Sequence, residues 1–179
     1  MADHLVFASR GDAHMAKIVA EWSALGLRRG SGVVLACTPA HLRLVETELC
    51  VLGVDIVHAH ANGRIVFLDA RSVIDTCIVD GAPDAKRFKE GVTAAIRRAA
   101  GPRGATTLRA WGEIVDLLAK QGNLHAADTL ERLWNEILDE TGAQLLCSYE
   151  LDALDDAARS RVLADIAASH TGVAFCATA

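Results

Sequence analysis

The alternation of short apolar runs with longer segments of helical periodicity is the feature that most constrains the fold. The apolar runs, such as residues 33–37 and 65–68, are continuous and carry no polar residue at every second position. A strand of this kind must be covered on both faces, which is typical of a parallel sheet between two layers of helices. The 179 residues suffice for one domain. We therefore predict a single three-layer α/β/α domain over residues 1–179 with a mostly parallel sheet.

Residues that start or stop helices divide this pattern into elements. Thr38 and Pro39 predict a helix start, because a hydroxyl cap is followed by proline at the first helical position. Asp69 is predicted to cap a short helix that extends to residue 78, and Gly122-Asn123 to separate two helices. Further strands are predicted at residues 4–8, 54–57, 106–110, 143–149 and 173–176. In such folds a ligand binds beyond the carboxyl ends of the strands.

The overall charge and the cysteine pattern argue against several classes of function. The chain has 18 Lys and Arg against 23 Asp and Glu, a formal net charge of −5, so we expect no direct nucleic-acid partner. No apolar run approaches the roughly 20 residues that cross a bilayer, and the first residues lack the pattern of a signal peptide. Five scattered cysteines without a C-x-x-C motif are typical of reduced core thiols. We therefore expect a cytoplasmic protein with no membrane partner.

The common metal and nucleotide motifs do not occur in this sequence. His58 and His60 would share one side of an extended segment, but no third ligand lies near them, so we expect no metal site. No G-x-x-x-x-G-K-[ST] loop and no G-x-S-x-G elbow are present. The first predicted turn, residues 9–14, has only one glycine, whereas a phosphate-binding loop needs several. Asp12 near the helix start would repel a phosphate, because it occupies the site where an anion would bind. Residues 65–69 resemble a Walker B strand only weakly. We expect no cofactor and no enzymatic activity.

Polar residues in the stretch 108–149 point to a ligand pocket. Arg109 is predicted to end a buried strand, Glu113 lies one helical turn beyond it, and Tyr149 ends another predicted strand. One interpretation brings these three side chains together at the strand ends, where they line a pocket. The other interpretation is structural, with an Arg109–Glu113 pair that fixes a helix to the sheet.

Three motifs of this stretch resemble a known family of sensory domains. Residues 109–115 (Arg-Ala-Trp-Gly-Glu-Ile-Val), 130–135 (Leu-Glu-Arg-Leu-Trp-Asn) and 145–149 (Leu-Leu-Cys-Ser-Tyr) are similar to the motif series of MEDS domains, the methanogen/methylotroph DcmR-type sensory domains. Residues 4–7, 53–55, 68–70 and His170 are similar as well. The resemblance implies a RecA/KaiC-like fold without a functional Walker A loop. It also implies a non-enzymatic sensory or regulatory domain that binds a small organic ligand such as a hydrocarbon derivative.

The residues of these motifs are assigned to a ligand site and to a structural set. In the ligand site, Arg109 is expected to hold an anionic or carbonyl group and Glu113 to orient Arg109. Trp111 and Tyr149 are expected to form a flat apolar wall with a polar tip. The expected rim consists of Ser9, Thr38, His41 and His170, with His170 paired to Tyr149. The expected structural set consists of Glu131, Trp134, Asn135 and Cys147, in which Glu131 and Asn135 share one helix face and Asn135 bonds a loop backbone.

The expected output and the alternatives follow from what the sequence lacks. It carries no helix-turn-helix and no kinase segment, so we expect the signal to pass to a partner protein, a histidine kinase or a transcription regulator. Homo-oligomerisation is expected as well, because KaiC-like folds often assemble.

Two alternative functions stay open, a residual ATPase or phosphotransferase of the KaiC-like class and a protein–protein adaptor with a vestigial pocket. In a further alternative, the redox variant of the function, the reactive group would be the thiol of Cys37 or Cys147 at the end of a strand.

Overall fold

The main sheet is parallel throughout and has six strands in the part of the chain that the structure describes. The computed structural model describes residues 3–101, 104–105 and 107–173. In chain order the strands are β1 (His4–Ala8), β2 (Gly32–Cys37), β3 (Ile65–Asp69), β4 (Ile78–Val79), β5 (Ala82–Pro83), β6 (Leu108–Gly112), β7 (Gln144–Tyr149) and β8 (Gly172–Val173). The main sheet has the order β3-β2-β6-β7-β1-β8, while β4 and β5 form a separate antiparallel hairpin. The predicted three-layer α/β/α fold is confirmed.

Helices cover both faces of this sheet. They are α1 (Asp12–Arg28), α2 (Pro39–Val51), α3 (Ile56–Ala61), α4 (Ala70–Cys77), α5 (Ala85–Ala99), α6 (Ile114–Lys120), α7 (Leu124–Thr141) and α8 (Asp156–Ser169), with a 3₁₀ turn at Leu151–Ala153. Helices α1 to α3 pack with one face of the sheet in one apolar core. Helices α4 to α8 pack with the other face in a second core. Because both faces are buried, the strands need apolar side chains on both sides, which is the pattern read from the sequence.

The helix caps agree with the sequence-based predictions. The side chain of Thr38 accepts a hydrogen bond of 3.3 Å from a backbone N–H in the first turn of α2. Asp69 caps α4 in the same way over 3.0 Å, and Asn123 caps α7 over 3.2 Å. Gly122 has a positive φ of 77°, which lets the chain turn between α6 and α7. Side-chain caps of this kind are local, so a sequence pattern suffices to place them.

One predicted strand is a helix in the structure, and another extends beyond the described residues. The prediction of a strand at residues 54–57 is wrong, because Asp55 caps α3 by accepting a 2.9 Å hydrogen bond from the N–H of His58. His58 and His60 therefore lie on a helix and not on an extended segment, and His60 Nε2 lies 2.9 Å from Glu46 Oε1. The last predicted strand is present as β8, and its residues 174–176 lie outside the described residues.

Gly32 lies where the end of α5 packs directly against the backbone of β2. A Cβ atom at Gly32 would lie 1.9 Å from the carbonyl oxygen of Ala99, at the end of α5. That oxygen belongs to the backbone and cannot move aside as a flexible side chain would. In contrast, a Cβ atom at Gly91, in the middle of α5, would meet nothing within 4 Å.

We expect Gly32→Ala to lower the free energy of unfolding by about 3 kcal/mol, because the added methyl group overpacks a rigid contact. The matched variant Gly91→Ala should raise it by about 0.5–1 kcal/mol, since alanine costs less backbone entropy than glycine inside a helix. Urea denaturation followed by circular dichroism measures both changes. Equal stability of the two variants would contradict the close contact between β2 and α5.

Candidate functional site

The carboxyl ends of β2 and β6 bring four polar residues together, which we call the carboxyl-edge cluster: Asp12, Thr38, His41 and Glu113. β2 and β6 are neighbours in the sheet, so Thr38 and Glu113 leave it side by side. The buried carboxylate of Glu113 accepts hydrogen bonds from the backbone N–H of Thr38 and from Nδ1 of His41. The other ring nitrogen, Nε2 of His41, lies 3.3 Å from Asp12 Oδ1. One imidazole thus bridges carboxylates from α1 and from the end of β6.

The charge of His41 depends on this bridge. Its hydrogen bond to Glu113 raises the pKa of His41 above the ordinary 6.5, and the nearby Asp12 acts in the same direction. Burial of the ring opposes the shift, but it is the smaller effect. The protonated ring donates from both nitrogens, so it satisfies both carboxylates at once. This edge of the sheet therefore holds a hydrogen-bonded, titratable group that a polar ligand can contact.

A second group of charged side chains lies at the carboxyl edge. Lys120 lies 2.8 Å from a carboxylate oxygen of Asp116 and 2.8 Å from one of Glu150. Burial raises the pKa of Asp116, while its contact with Lys120 works against that shift. The hydroxyl of Ser9 lies 3.4 Å from the carbonyl oxygen of Tyr149, at the adjacent ends of β1 and β7. Ser9, Thr38, His41 and Glu113 thus all lie at the carboxyl edge, where the ligand site was predicted.

Arg109 lies at the opposite edge of the sheet, which corrects the prediction that it ends a strand. β6 begins at Leu108 and ends at Gly112, so Arg109 is its second residue. The guanidinium donates to the side-chain oxygen of Gln144 over 3.1 Å and to the carbonyl oxygen of Trp22 over 2.7 Å. It also stacks over the Trp22 ring at 4.8 Å. The expected contacts of Arg109 with Glu113 and Tyr149 are therefore wrong, because β6 starts two residues later than predicted.

Trp111 and Tyr149 do not form a common wall, because they lie on opposite faces of the sheet. Trp111 is fully buried in the core beneath α1 and α2, and its indole N–H donates to the hydroxyl of Ser148 over 3.1 Å. Tyr149 is buried in the other core, where its hydroxyl donates to Glu131 Oε1. Burial of Tyr149 raises the pKa of its hydroxyl, so the group stays protonated as a donor.

The second group of polar side chains is buried beneath α7, and we call it the inner cluster: His4, Glu131, Cys147 and His170. His4 Nε2 lies 3.3 Å from Glu131 Oε2 and 3.3 Å from Cys147 Sγ. His170 Nε2 lies 3.8 Å from the same oxygen of Glu131. The prediction that His170 pairs with Tyr149 is wrong as a direct contact, since Glu131 lies between the two.

Residues expected to be structural hold α7 against its neighbours. Asn135 donates from its side-chain nitrogen to the backbone oxygen of Ser169 at the end of α8 over 3.1 Å, close to the predicted loop contact. Its side-chain oxygen lies 2.9 Å from Nδ1 of His4. Trp134 packs edge-on against Phe88 with ring centroids 5.5 Å apart. No spacing along the sequence connects His4 to Glu131 or Asp12 to His41, because each pair is joined only through the folded sheet.

The two cysteines considered for redox chemistry are both buried. Burial raises the pKa of the Cys37 thiol, and the nearby Glu113 acts in the same direction. Burial also raises the pKa of the Cys147 thiol, with Glu131 adding to the shift. A reactive cysteine needs an accessible thiolate with a lowered pKa. The environment of Cys37 and Cys147 therefore favours protonated thiols and disfavours the redox variant.

Fold and site together define a class of protein, the parallel three-layer α/β domains whose polar groups gather at the carboxyl edge of the sheet. The family model of MEDS, the MEthanogen/methylotroph, DcmR Sensory domain, matches residues 3–171, and this chain belongs to that family. Membership gives the chain a sensory or regulatory role. A search of curated proteins finds no match. Among the described residues, no helix combines the length and the apolar character that crossing a membrane requires.

We expect the stability of the protein to fall as the pH rises above 6.5, because His41 loses its proton as its raised pKa is passed. The protonated His41 ring stabilises the folded state fully at a pH below its ordinary pKa of 6.5. This stabilisation is lost as the pH rises through the raised pKa of the folded state. The slope from this one proton is at most about 1.4 kcal/mol per pH unit. Urea denaturation at several pH values measures it, and His41→Gln should remove this part of the slope.

The matched control for His41→Gln is His60→Gln, which alters a more exposed His–Glu pair far from the carboxyl edge. A pair that is about one-third exposed contributes less to stability than a buried one, so this variant should keep the slope of the wild-type protein. If His60→Gln removed the slope and His41→Gln kept it, the bridge between Asp12 and Glu113 would not be the titrating contact.

Proposed function

We propose that this chain is a non-enzymatic sensory domain that binds a small, neutral hydrocarbon derivative with a hydroxyl group at the carboxyl-edge cluster. The observation that carries the proposal is the buried Glu113 carboxylate, held by the Thr38 N–H and by His41 at the ends of two neighbouring strands. A hydroxyl group both donates and accepts a hydrogen bond, so it fits between a carboxylate and an imidazole.

The position of the cluster in the sheet supports a binding role. α2 leaves β2 toward one face of the sheet, and α6 leaves β6 toward the other. Between two such strands the connecting helices diverge, and this is where open α/β sheets bind their ligands. Glu113 and Thr38 stand at this point.

The charges at this edge favour a neutral ligand over an anion. Arg109, the residue expected to hold an anionic group, lies at the other edge of the sheet. Asp12, Glu113, Asp116 and Glu150 face the carboxyl edge with His41 and Lys120 paired among them. An anionic ligand would have to displace these pairs, whereas a neutral alcohol exchanges one hydrogen bond for another.

The first turn of the sheet favours a ligand other than a nucleotide. α1 begins at Asp12 with Gly11 before it, and the Asp12 carboxylate contacts His41 at this helix start. A carboxylate at a helix N-terminus occupies the place where a phosphate would bind. Within the proposal, the domain is a RecA/KaiC-like fold whose phosphate loop no longer holds a nucleotide, and it has no ATPase or phosphotransferase activity.

The proposed signal is a change in how α2 sits relative to α6. His41 lies in the first turn of α2, and Glu113 is the residue that precedes α6. A ligand that replaces the hydrogen bond between His41 and Glu113 would remove a contact that joins the start of α2 to the start of α6. We propose that a partner protein, a histidine kinase or a transcription regulator, reads this change on the surface formed by α2.

We expect short alcohols and diols to raise the melting temperature of the wild-type protein in a panel that also contains short carboxylates, amines, aldehydes and Mg-ATP. Glu113→Gln should weaken the binding of such an alcohol about tenfold or more, since a hydrogen bond to a charged group is worth about 1.5–3 kcal/mol. Calorimetry with the best compound measures the change, and circular dichroism confirms that the variant is folded.

Glu46→Gln is the matched control, because Glu46 also pairs with a histidine, but with His60 of α3 and not with a residue of the carboxyl-edge cluster. It should bind the compound as tightly as the wild-type protein does. Equal affinity in Glu113→Gln and Glu46→Gln would overturn the proposed site. Micromolar binding of Mg-ATP would favour the nucleotide alternative, and a panel without any response would favour the adaptor.

A further inference from the structure

The inner cluster brings together four side chains that bind transition metals. His4, Glu131 and Cys147 are buried, and the side chain of His170 is 2% exposed. Each offers one donor atom, and the four donor atoms lie within 4.8 Å of one another. The residues come from β1, α7, β7 and the turn before β8, so four separate elements converge on one point.

The neighbours of His4 orient its ring for metal binding. Asn135 donates its side-chain N–H to the backbone oxygen of Ser169, which directs its side-chain oxygen toward Nδ1 of His4. His4 therefore carries its proton on Nδ1, and the lone pair of Nε2 points at Glu131 and Cys147. Ligand histidines in metal sites are held in this way, by a hydrogen bond from the second ring nitrogen to an oxygen. Tyr149 fixes the carboxylate similarly by donating to the other oxygen of Glu131.

Three of the six distances between the donor atoms match a tetrahedral ion, and all six are within 4.8 Å, so small side-chain shifts would complete the geometry. Bonds of about 2.0–2.3 Å to nitrogen, oxygen and sulfur place the ligand atoms of a tetrahedron about 3.3–3.8 Å apart. His4 Nε2 lies 3.3 Å from both Glu131 Oε2 and Cys147 Sγ, and His170 Nε2 lies 3.8 Å from Glu131 Oε2.

We propose that His4, Glu131, Cys147 and His170 form a binding site for a divalent transition metal of the zinc class. Binding would release the thiol proton of Cys147 to solvent, so that one thiolate and one carboxylate balance the two positive charges. All four positions of the tetrahedron are filled by the protein, which is typical of a structural and not a catalytic site. The site differs from the expectation of no metal site, because its ligands are far apart in the sequence and form no local motif.

The position of His170 gives the site a mechanical role. His170 follows the last residue of α8 and precedes β8. A metal bound by His170 together with His4, Glu131 and Cys147 would therefore link the end of α8 to the sheet. A cavity of about 340 Å³ beside the cluster, lined among others by Asn135, Asp139 and His170, gives an ion a route from solvent. The acidic Asp139 in this lining favours the entry of a cation.

The test is a titration of the tag-free chain, stripped with a chelator and kept reduced, with Co²⁺ as the spectroscopic probe. We expect one Co²⁺ per chain, with the near-ultraviolet absorption of a cobalt–thiolate bond and the visible absorption of tetrahedral cobalt, and displacement by Zn²⁺. Zn²⁺ should also raise the melting temperature of the stripped protein, because it binds only the folded state.

Variants separate this site from adventitious binding. Cys147→Ser should lose the thiolate absorption, whereas Cys77→Ser, which alters a buried cysteine outside the cluster, should keep it. His170→Gln and Asn135→Ala should lower the affinity at least tenfold, since even an outer partner of a ligand histidine is worth 10–100-fold. If Cys147→Ser does not fold, these two variants and the wild-type spectrum decide the question. Cobalt that binds without thiolate absorption, or equally well to wild type and His170→Gln, would overturn the proposal.

Discussion

Burial of both faces of the parallel sheet is the constraint on which the rest of the structure depends. It forces the strands to be apolar on both sides, and it leaves the ends of the strands as the places where polar side chains meet solvent. Thr38 and Glu113 lie at one such end and Arg109 near the other. Arg109 and Glu113 are close in sequence but lie at opposite edges of the sheet. Only Thr38 and Glu113 lie at the edge where open α/β sheets bind ligands.

The polar residues that do lie inside this fold are held by one another. Glu131 is 1% exposed, and it contacts Tyr149, His4 and His170, while Asn135 fixes the orientation of the His4 ring. A buried carboxylate is costly unless such partners surround it. Meeting this requirement draws β1, α7, β7 and the turn before β8 together. The inner cluster is therefore part of what docks α8 to the domain, and the carboxyl-edge cluster plays a comparable part between α2 and α6.

How far the sequence predicts the structure depends on the range of the interaction. The caps formed by Thr38, Asp69 and Asn123 involve residues two or three positions away, and all three were predictable. The predicted strand at residues 54–57 was wrong because a short apolar run fits a helix as well as a strand, and the Asp55 cap favours the helix. A shift of two residues in the start of β6 moved Arg109 from one edge of the sheet to the other.

The sequence by itself determined the fold class, the alternation of strands and helices, the absence of a phosphate loop and the MEDS motifs. These are properties of local pattern, and local pattern is set by backbone preference and by burial along each element. Only the tertiary structure decided that His41 bridges Asp12 and Glu113, and that His4, Glu131, Cys147 and His170 meet beneath α7. Those contacts join residues 16 to 166 positions apart, and the order of the strands in the sheet, which no local pattern encodes, brings them together.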